Sequence, residues 1–300
     1  MTQVSYSKIS CFKNCRRKYW FKYEERLEPK GKSGKLLLGS AVDKAVKLYF
    51  KNIELDLDKI KEIMYNEVKM YYSSETTKAE NNNMMNITEY LVDLREQETL
   101  AYSMLDNFLT EMLDVHTALG ITKILEISPE YKIKLKNGIE FVFLPDMIVE
   151  IKGKVWVVEI KTSKTIEFDS MRRDDQARSY VWGMKQILKE RGDERDVEGI
   201  IYIVIRKAKQ TAKTKTAMCG KEMFYITTRE LELWEKDFYA VLSNMNKPSE
   251  HYRNPTMDCG WKCAYRCLCN EDMQEIREQE FLKYEGEKEN GNQVNKNEQE

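Results

Sequence analysis

The chain is 300 residues long, enough for one large domain or two small ones and for a sizeable core. Its 49 Lys and Arg stand against 50 Asp and Glu, so the net charge of −1 singles out no class of partner. No apolar run follows Met1 and no stretch is apolar enough to span a bilayer, which excludes a helical membrane protein and points to the cytoplasm. There the seven cysteines are expected as reduced thiols or metal ligands, not disulfides.

Charge is distributed locally. Residues 8–35 hold ten Lys and Arg against Glu24, Glu25 and Glu28, and residues 206–229 hold seven against Glu222 alone. Such patches suit an anionic polymer, although many are only solvated faces.

In chain order, residues 5–23 read as a basic amphipathic helix capped by Ser5 or Ser7, with Ile9, Phe12, Tyr19 and Tyr23 at roughly helical spacing. Within it Cys15 precedes Arg16, Arg17 and Lys18. It is either a buried cysteine on an ordinary helix or a cluster ligand beside a DNA-facing patch. Residues 31–35, GKSGK, look like a piece of a phosphate-binding loop but lack its first glycine and a preceding strand, so a flexible loop is expected. Residues 36–50 give a helix with Leu38, Ala41, Val42, Ala45, Val46 and Tyr49 along one stripe. Asp43 interrupts this apolar segment and is either solvated or turned to a polar cleft. Residues 52–118 are expected to be helical, with the Ser-, Thr- and Asn-rich residues 73–86 as a loop between helices. His116 is expected to end a helix rather than bind a metal.

The pattern then changes to period two. Residues 131–135 and 139–144 alternate around Asn137-Gly138, a hairpin signal. Residues 143–164 read FLPDMIVEIKGKVWVVEIKTSK. Here Asp146 follows a proline, Lys152-Gly153-Lys154 supplies a turn, and Glu159 and Lys161, two apart on a strand, share one face. Two converging carboxylates suit a hard divalent cation, and a lysine beside them can orient a water or steady negative charge. The competing reading is a solvated hairpin with ordinary surface charges. Residues 169–190 read as a helix with Gln176 and Tyr180 on one face. Residues 199–205 read as a buried strand, 207–221 as a basic loop, 223–227 as a further strand and 228–245 as a helix. This order implies a mixed sheet flanked by helices.

Cys259, Cys263, Cys267 and Cys269 crowd into eleven residues, a pattern that points to a metal or iron–sulfur site, with zinc as competitor. Either these four close the site, or three do so with the distant Cys15 or Cys11. Residues 276–300 are expected to form a disordered polar tail, since the sequence after Tyr284 has no apolar content to order it.

Together these segments resemble the PD-(D/E)XK nuclease superfamily, and within it the RecB-like branch that includes the CRISPR-associated adaptation exonuclease and the AddB nuclease domain, with stand-alone members in phages. The matching pieces span most of residues 5–272. They are the segment from Ser5 to Tyr19, Gly39 to Asp43, Pro145-Asp146, Glu159-Ile160-Lys161 with Thr162-Ser163-Lys164, Gln176 with Tyr180, and the terminal cysteines. The resemblance implies an α/β, restriction-endonuclease-like fold in a single domain over 1–275, with a mixed central sheet flanked by helices and a helical insertion over about 52–118. It implies a Mg²⁺- or Mn²⁺-dependent DNA nuclease, an exonuclease, in recombination, repair or CRISPR-adaptation-like processing. The substrate would be single-stranded DNA or DNA with a free end, with protein partners from such a complex. Asp43, Asp146, Glu159 and the Ile160 carbonyl would hold the metal. Lys161 would position the water, and Gln176 and Tyr180 would orient the strand or the lysine. Many relatives carry His where this chain has Asp43, and Asp remains a good hard-cation ligand. Cys15, Cys259, Cys263 and Cys269 would hold a structural 4Fe–4S cluster and leave Cys267 spare, with zinc as the alternative. A different reading keeps the fold as a catalytically silent scaffold that binds DNA ends or partners. Metal-dependent cleavage separates the two.

Overall fold

A computed structural model describes residues 2–30, 34–81, 86–247, 250–261 and 263–284. Residues 31–33 of the expected loop and the tail beyond Tyr284 lie outside them. The chain begins with β1 (Gln3–Ser5), and Ser5 caps α1 (Tyr6–Asn14) by accepting from the Lys8 amide. The single helix expected over 5–23 is instead broken at Cys15, whose backbone is extended, before α2 (Arg16–Tyr19) and a π-helical turn, Trp20–Glu24. Distant partners take up the groups freed at the break. Asn254 donates to the Asn14 carbonyl, and the Arg17 amide donates to the Tyr252 carbonyl.

β2 (Leu27–Pro29) follows, then α3 (Gly34–Lys51), so Gly34 and Lys35 start a helix rather than continue a loop. Next come α4 (Leu57–Asn81), α5 (Ile87–Met112) and α6 (Val115–Leu119), which carries His116. Residues 73–81, expected in a loop, are helical. Tyr72, Glu75 and Ala79 are buried at helical spacing, and this burial overrides the weak propensity of the Ser and Thr between them. β3 (Lys123–Ile127) was not anticipated; β4 (Tyr131–Lys134) and β5 (Glu140–Phe143) flank the Asn137-Gly138 turn, with Gly138 at φ +80°. β6 (Met147–Ile151) and β7 (Lys154–Ser163) are joined through Lys152 and Gly153, both left-handed at φ +50° and +76°, as a two-residue hairpin turn requires.

The helix expected over 169–190 is two, α7 (Phe168–Arg173) and α8 (Asp175–Glu190). Asp174 between them is extended and accepts from the Gln176 amide, which restarts the helix. β8 (Val197–Arg206), β9 (Cys219–Tyr225) and α9 (Thr228–Met245) follow as expected, β9 starting earlier. Last come α10 (Asp258–Trp261), α11 (Arg266–Asn270), α12 (Gln274–Glu280) and β10 (Phe281–Lys283). Residues 276–284, assigned to the polar tail, are therefore ordered structure. β10 pairs antiparallel with β2, Phe281 stacks on Tyr265, and Arg277 forms ion pairs with Glu25 and Asp272.

The chain divides into two compact units. One comprises Met1–Gly31, Lys132–Leu144 and Glu235–Glu300, the other Lys32–Tyr131 and Pro145–Trp234. The first holds the sheet β1-β5-β4, the β10-β2 ribbon and a small core of Phe21, Leu27, Tyr265, Leu268 and Phe281. The second holds a five-stranded mixed sheet in the order β3-β6-β7-β8-β9, in which only β7 and β8 run parallel. The 131–144 hairpin thus joins β1 and not the central sheet. Trp156, Val158 and Ile160 of β7 share a core with α3, α4 and α5. By alternation Glu159 and Lys161 face the other side, where α8 packs on β7 and β8. Gly199 lets β9 come close, since a Cβ there would lie 1.9 Å from the Phe224 carbonyl oxygen. Among the described residues, no helix is long and apolar enough to cross a membrane.

Candidate active site

The residues singled out on the sheet and its helices all lie in the second unit. Asp146 precedes β6, next to the register pair Met147–Val158, and its Oδ2 accepts from the Ile160 amide at 2.7 Å. That bond ties the acid to β7 and fixes its rotamer. Glu159 and Lys161 share a face of β7, and the Lys161 ammonium donates to Glu159 Oε1 at 2.7 Å and to Gln176 Oε1 at 2.8 Å. From the first turn of α8, Gln176 donates through Nε2 to Glu159 Oε1 at 2.9 Å and to the Tyr180 hydroxyl at 3.1 Å. One amide therefore holds acid, lysine and tyrosine in a single network. Asp146, Glu159, Gln176 and Tyr180 are all buried.

Asp43 reaches the site from α3. Its partner is Lys47, one turn further on, a residue that sequence reasoning missed. The Lys47 ammonium lies 2.7 Å from Asp43 Oδ2 and 2.5 Å from Asp146 Oδ1. The only trace of it in the sequence is the i, i+4 acid–lysine spacing, which ordinarily marks a surface pair.

Burial and the crowding of like charges set the electrostatics. Burial, reinforced by the nearby Asp146 carboxylate, pushes Glu159 up to about 7. The same two causes, in the same order, push Asp43 up to about 6 against the opposing pull of Lys47. Burial acts to lower Lys47 and Lys161, but their carboxylate neighbours outweigh it and both are raised.

The donor set fits a hard divalent cation. All the candidate ligands are oxygens, and the buried Asp43 Oδ1 and Glu159 Oε2 have no hydrogen-bond partner. As the side chains stand, no three His, Cys, Asp or Glu among the described residues are gathered closely enough to hold a metal ion. Lys47 supplies the neutralising charge at Asp43 and Asp146, and Lys161 at Glu159.

Apart from Cys219 at the start of β9, the cysteines belong to the first unit. Cys15, Cys259, Cys263 and Cys269 line one cleft of about 630 Å³, with Lys13 and Arg266 on its walls. Burial raises the Cys269 thiol, and Cys263 and Cys15 reinforce the shift. Cys263, Cys267 and Cys269 all pack against the small core of Phe21 and Leu268, and Cys267 does not line the cleft. Cys11 is raised by burial, with Cys15 and Cys263 adding to the shift against two lysines.

Of the two basic stretches, part of the first is used in packing. Arg16 stacks on Phe12, Arg17 donates to the His251 carbonyl, and burial lowers Lys22. The second leaves Lys209, Lys213 and Lys215 exposed on the loop between β8 and β9. Helix α5 grips both feet of that loop. Asn107 donates to the Ala208 carbonyl at 3.4 Å, and the Glu111 carboxylate accepts from the Met218 and Cys219 amides at 2.9 and 2.8 Å.

Two of the solved structures similar to this chain illustrate the likeness. A candidate exonuclease from Eubacterium rectale is 16% identical, with 86% of each chain covered and a TM-score of 0.48. The protein designated SSO0001 is also 16% identical, with 60% of this chain and 79% of its own covered and a TM-score of 0.31. No curated protein matches. The family model of the PD-(D/E)XK nuclease superfamily matches residues 3–270, a span that takes in Asp43, Lys47, Asp146, Glu159, Lys161, Gln176, Tyr180 and all seven cysteines. The chain belongs to the PD-(D/E)XK nuclease superfamily.

Proposed function

We propose that this chain is a Mg²⁺- or Mn²⁺-dependent deoxyribonuclease of the RecB-like branch. It would be an exonuclease that acts on DNA with a free end or in single-stranded form, in the cytoplasm, during recombination, repair or adaptation-like processing. The observation that carries this reading is the buried network of Glu159, Lys161, Gln176 and Tyr180 beside Asp146 and Asp43, with two carboxylate oxygens left over. Asp43, Asp146 and Glu159, with the Ile160 carbonyl, would hold the cation. A divalent cation supplies there a Lewis acid that neutralises charge on the scissile phosphate and acidifies the attacking water. Lys161 would hold that water through its free N–H and stabilise the charge that builds on the phosphate oxygens. Gln176 would keep the ammonium aimed, and Tyr180 would brace Gln176. The exposed lysines of the 207–218 loop would track the backbone without reading sequence.

We further propose that Cys15, Cys259, Cys263 and Cys269 hold a structural 4Fe–4S cluster. The support is that these four residues line one cleft whose lining does not include Cys267. A polynuclear cluster needs a wider setting than a lone zinc ion.

The test is digestion of end-labelled single- and double-stranded DNA with Mg²⁺ and with Mn²⁺. Wild type is expected to cut, and Asp146→Ala and Lys161→Ala to lose at least about a hundredfold in rate. Equal cutting by all three would refute the site. DNA binding without metal-dependent cutting would leave the scaffold reading in its place.

A further inference from the structure

We propose that Lys47 is a built-in counter-ion of the active-site carboxylates, a tethered ammonium that an incoming divalent cation must displace. The inference rests on the metal-dependent reading above. It starts from position. Asp43 and Lys47 are one turn apart on α3, while Asp146 comes from the segment before β6. The ammonium therefore joins helix to sheet, at 2.7 Å from Asp43 Oδ2 and 2.5 Å from Asp146 Oδ1. The Lys47 side chain is only 15% exposed, so water screens this bridge weakly.

The two lysines of the site differ in one respect. Lys161 rests on one acid and on the neutral amide of Gln176, and Glu159 Oε2 stays free beside it. It can keep both bonds while a cation takes that oxygen. Both partners of Lys47 are carboxylates proposed as ligands. A hard cation sits about 2.0–2.6 Å from its oxygens, well inside the ammonium's own distance, and repels it. At Asp43 a cation could take the unpartnered Oδ1, but at Asp146 the Ile160 amide holds Oδ2, so cation and ammonium compete for Oδ1 and one must go. The four-carbon stem allows the ammonium to swing out while its backbone stays on α3. Two consequences follow. Without metal, Lys47 offsets the repulsion between the Asp43 and Asp146 carboxylates. With metal, it competes, so the affinity of the site is set below what the carboxylates alone would give.

Lys47→Met keeps the stem and removes the charge. Calorimetric titration with Mg²⁺ should then show binding tighter by about tenfold, within the range typical of coupled binding equilibria. The metal-free melting temperature should fall, and the rise on adding Mg²⁺ should exceed that of wild type. A merely structural ion pair would lower the melting temperature and leave the Mg²⁺ affinity unchanged or weaker, which overturns the proposal. Lys47→Gln, which keeps a donor without charge, serves if the methionine variant does not fold. A third measurement needs no altered protein beyond signal assignment with Lys47→Arg. In wild type carrying ¹⁵N at lysine Nζ, the Lys47 ammonium signal should shift or broaden at saturating Mg²⁺, and an unmoved signal refutes displacement. If wild type binds neither Mg²⁺ nor Mn²⁺, it is the metal-dependent function that fails.

Discussion

Glu159 and Asp43 are acids held in a setting that disfavours their charge, and this has a direct effect on stability. Glu159 moves from its ordinary 4.5 to about 7, and Asp43 from 3.8 to about 6, both chiefly through burial. Each therefore binds its proton more tightly folded than unfolded. Between the two values the folded state holds the extra proton, so stability falls as pH rises through that window and levels off above it. In chelator-treated protein, the melting temperature of wild type relative to Glu159→Gln should thus decline from pH 4.5 to about 7. A difference that rises with pH would contradict the assignment. At this scale much of the site could be read from the sequence. Glu159 and Lys161 share a face because a strand alternates, and Gln176 and Tyr180 share one because a helix repeats. Lys47 was hidden, because its second acid, Asp146, lies about a hundred positions away and only tertiary structure brings the two together.

Helix periodicity revealed α3, α5 and α9 almost to their ends, since their buried stripes are long and regular. The breaks at Cys15 and Asp174 were not visible. At Cys15 the partners that stabilise the interruption, Tyr252 and Asn254, sit near the other end of the chain. At Asp174 the cap lay inside a run that reads as unbroken helix. The inserted helix α5 likewise does something its own pattern does not suggest, because it pins the basic loop through Asn107 and Glu111. A loop fixed at both feet presents its lysines with less entropy to lose. Replacing Lys209, Lys213 and Lys215 together by Gln should reduce the slope of log K for DNA against log salt by roughly 2–3, at about 0.7–0.9 for each phosphate no longer neutralised. Glu111→Ala, which keeps every lysine but frees one foot, should weaken binding with little change in slope. An unchanged slope in the triple variant would move the DNA track elsewhere.

The division into two units was not legible, because one of them is assembled from three separated stretches of chain that carry no boundary composition. Its cysteines give the whole-molecule prediction. Purified without oxygen, the protein should be brown and absorb near 400 nm, a rough expectation for iron–sulfur clusters. Serine at Cys15, Cys259, Cys263 or Cys269 should bleach it, and serine at Cys267 should not. Colourless protein holding one zinc per chain would rule the cluster out. The same patchwork has a consequence in time. On the ribosome the first 31 residues emerge long before Glu235–Glu300, with about two hundred residues still to be made. At roughly 5–20 residues per second, Phe21 and Leu27 wait on the order of ten seconds or more for Tyr265, Leu268 and Phe281. This stretch is thus made well before the residues that complete its core, and through that interval its apolar side chains are open to chaperones.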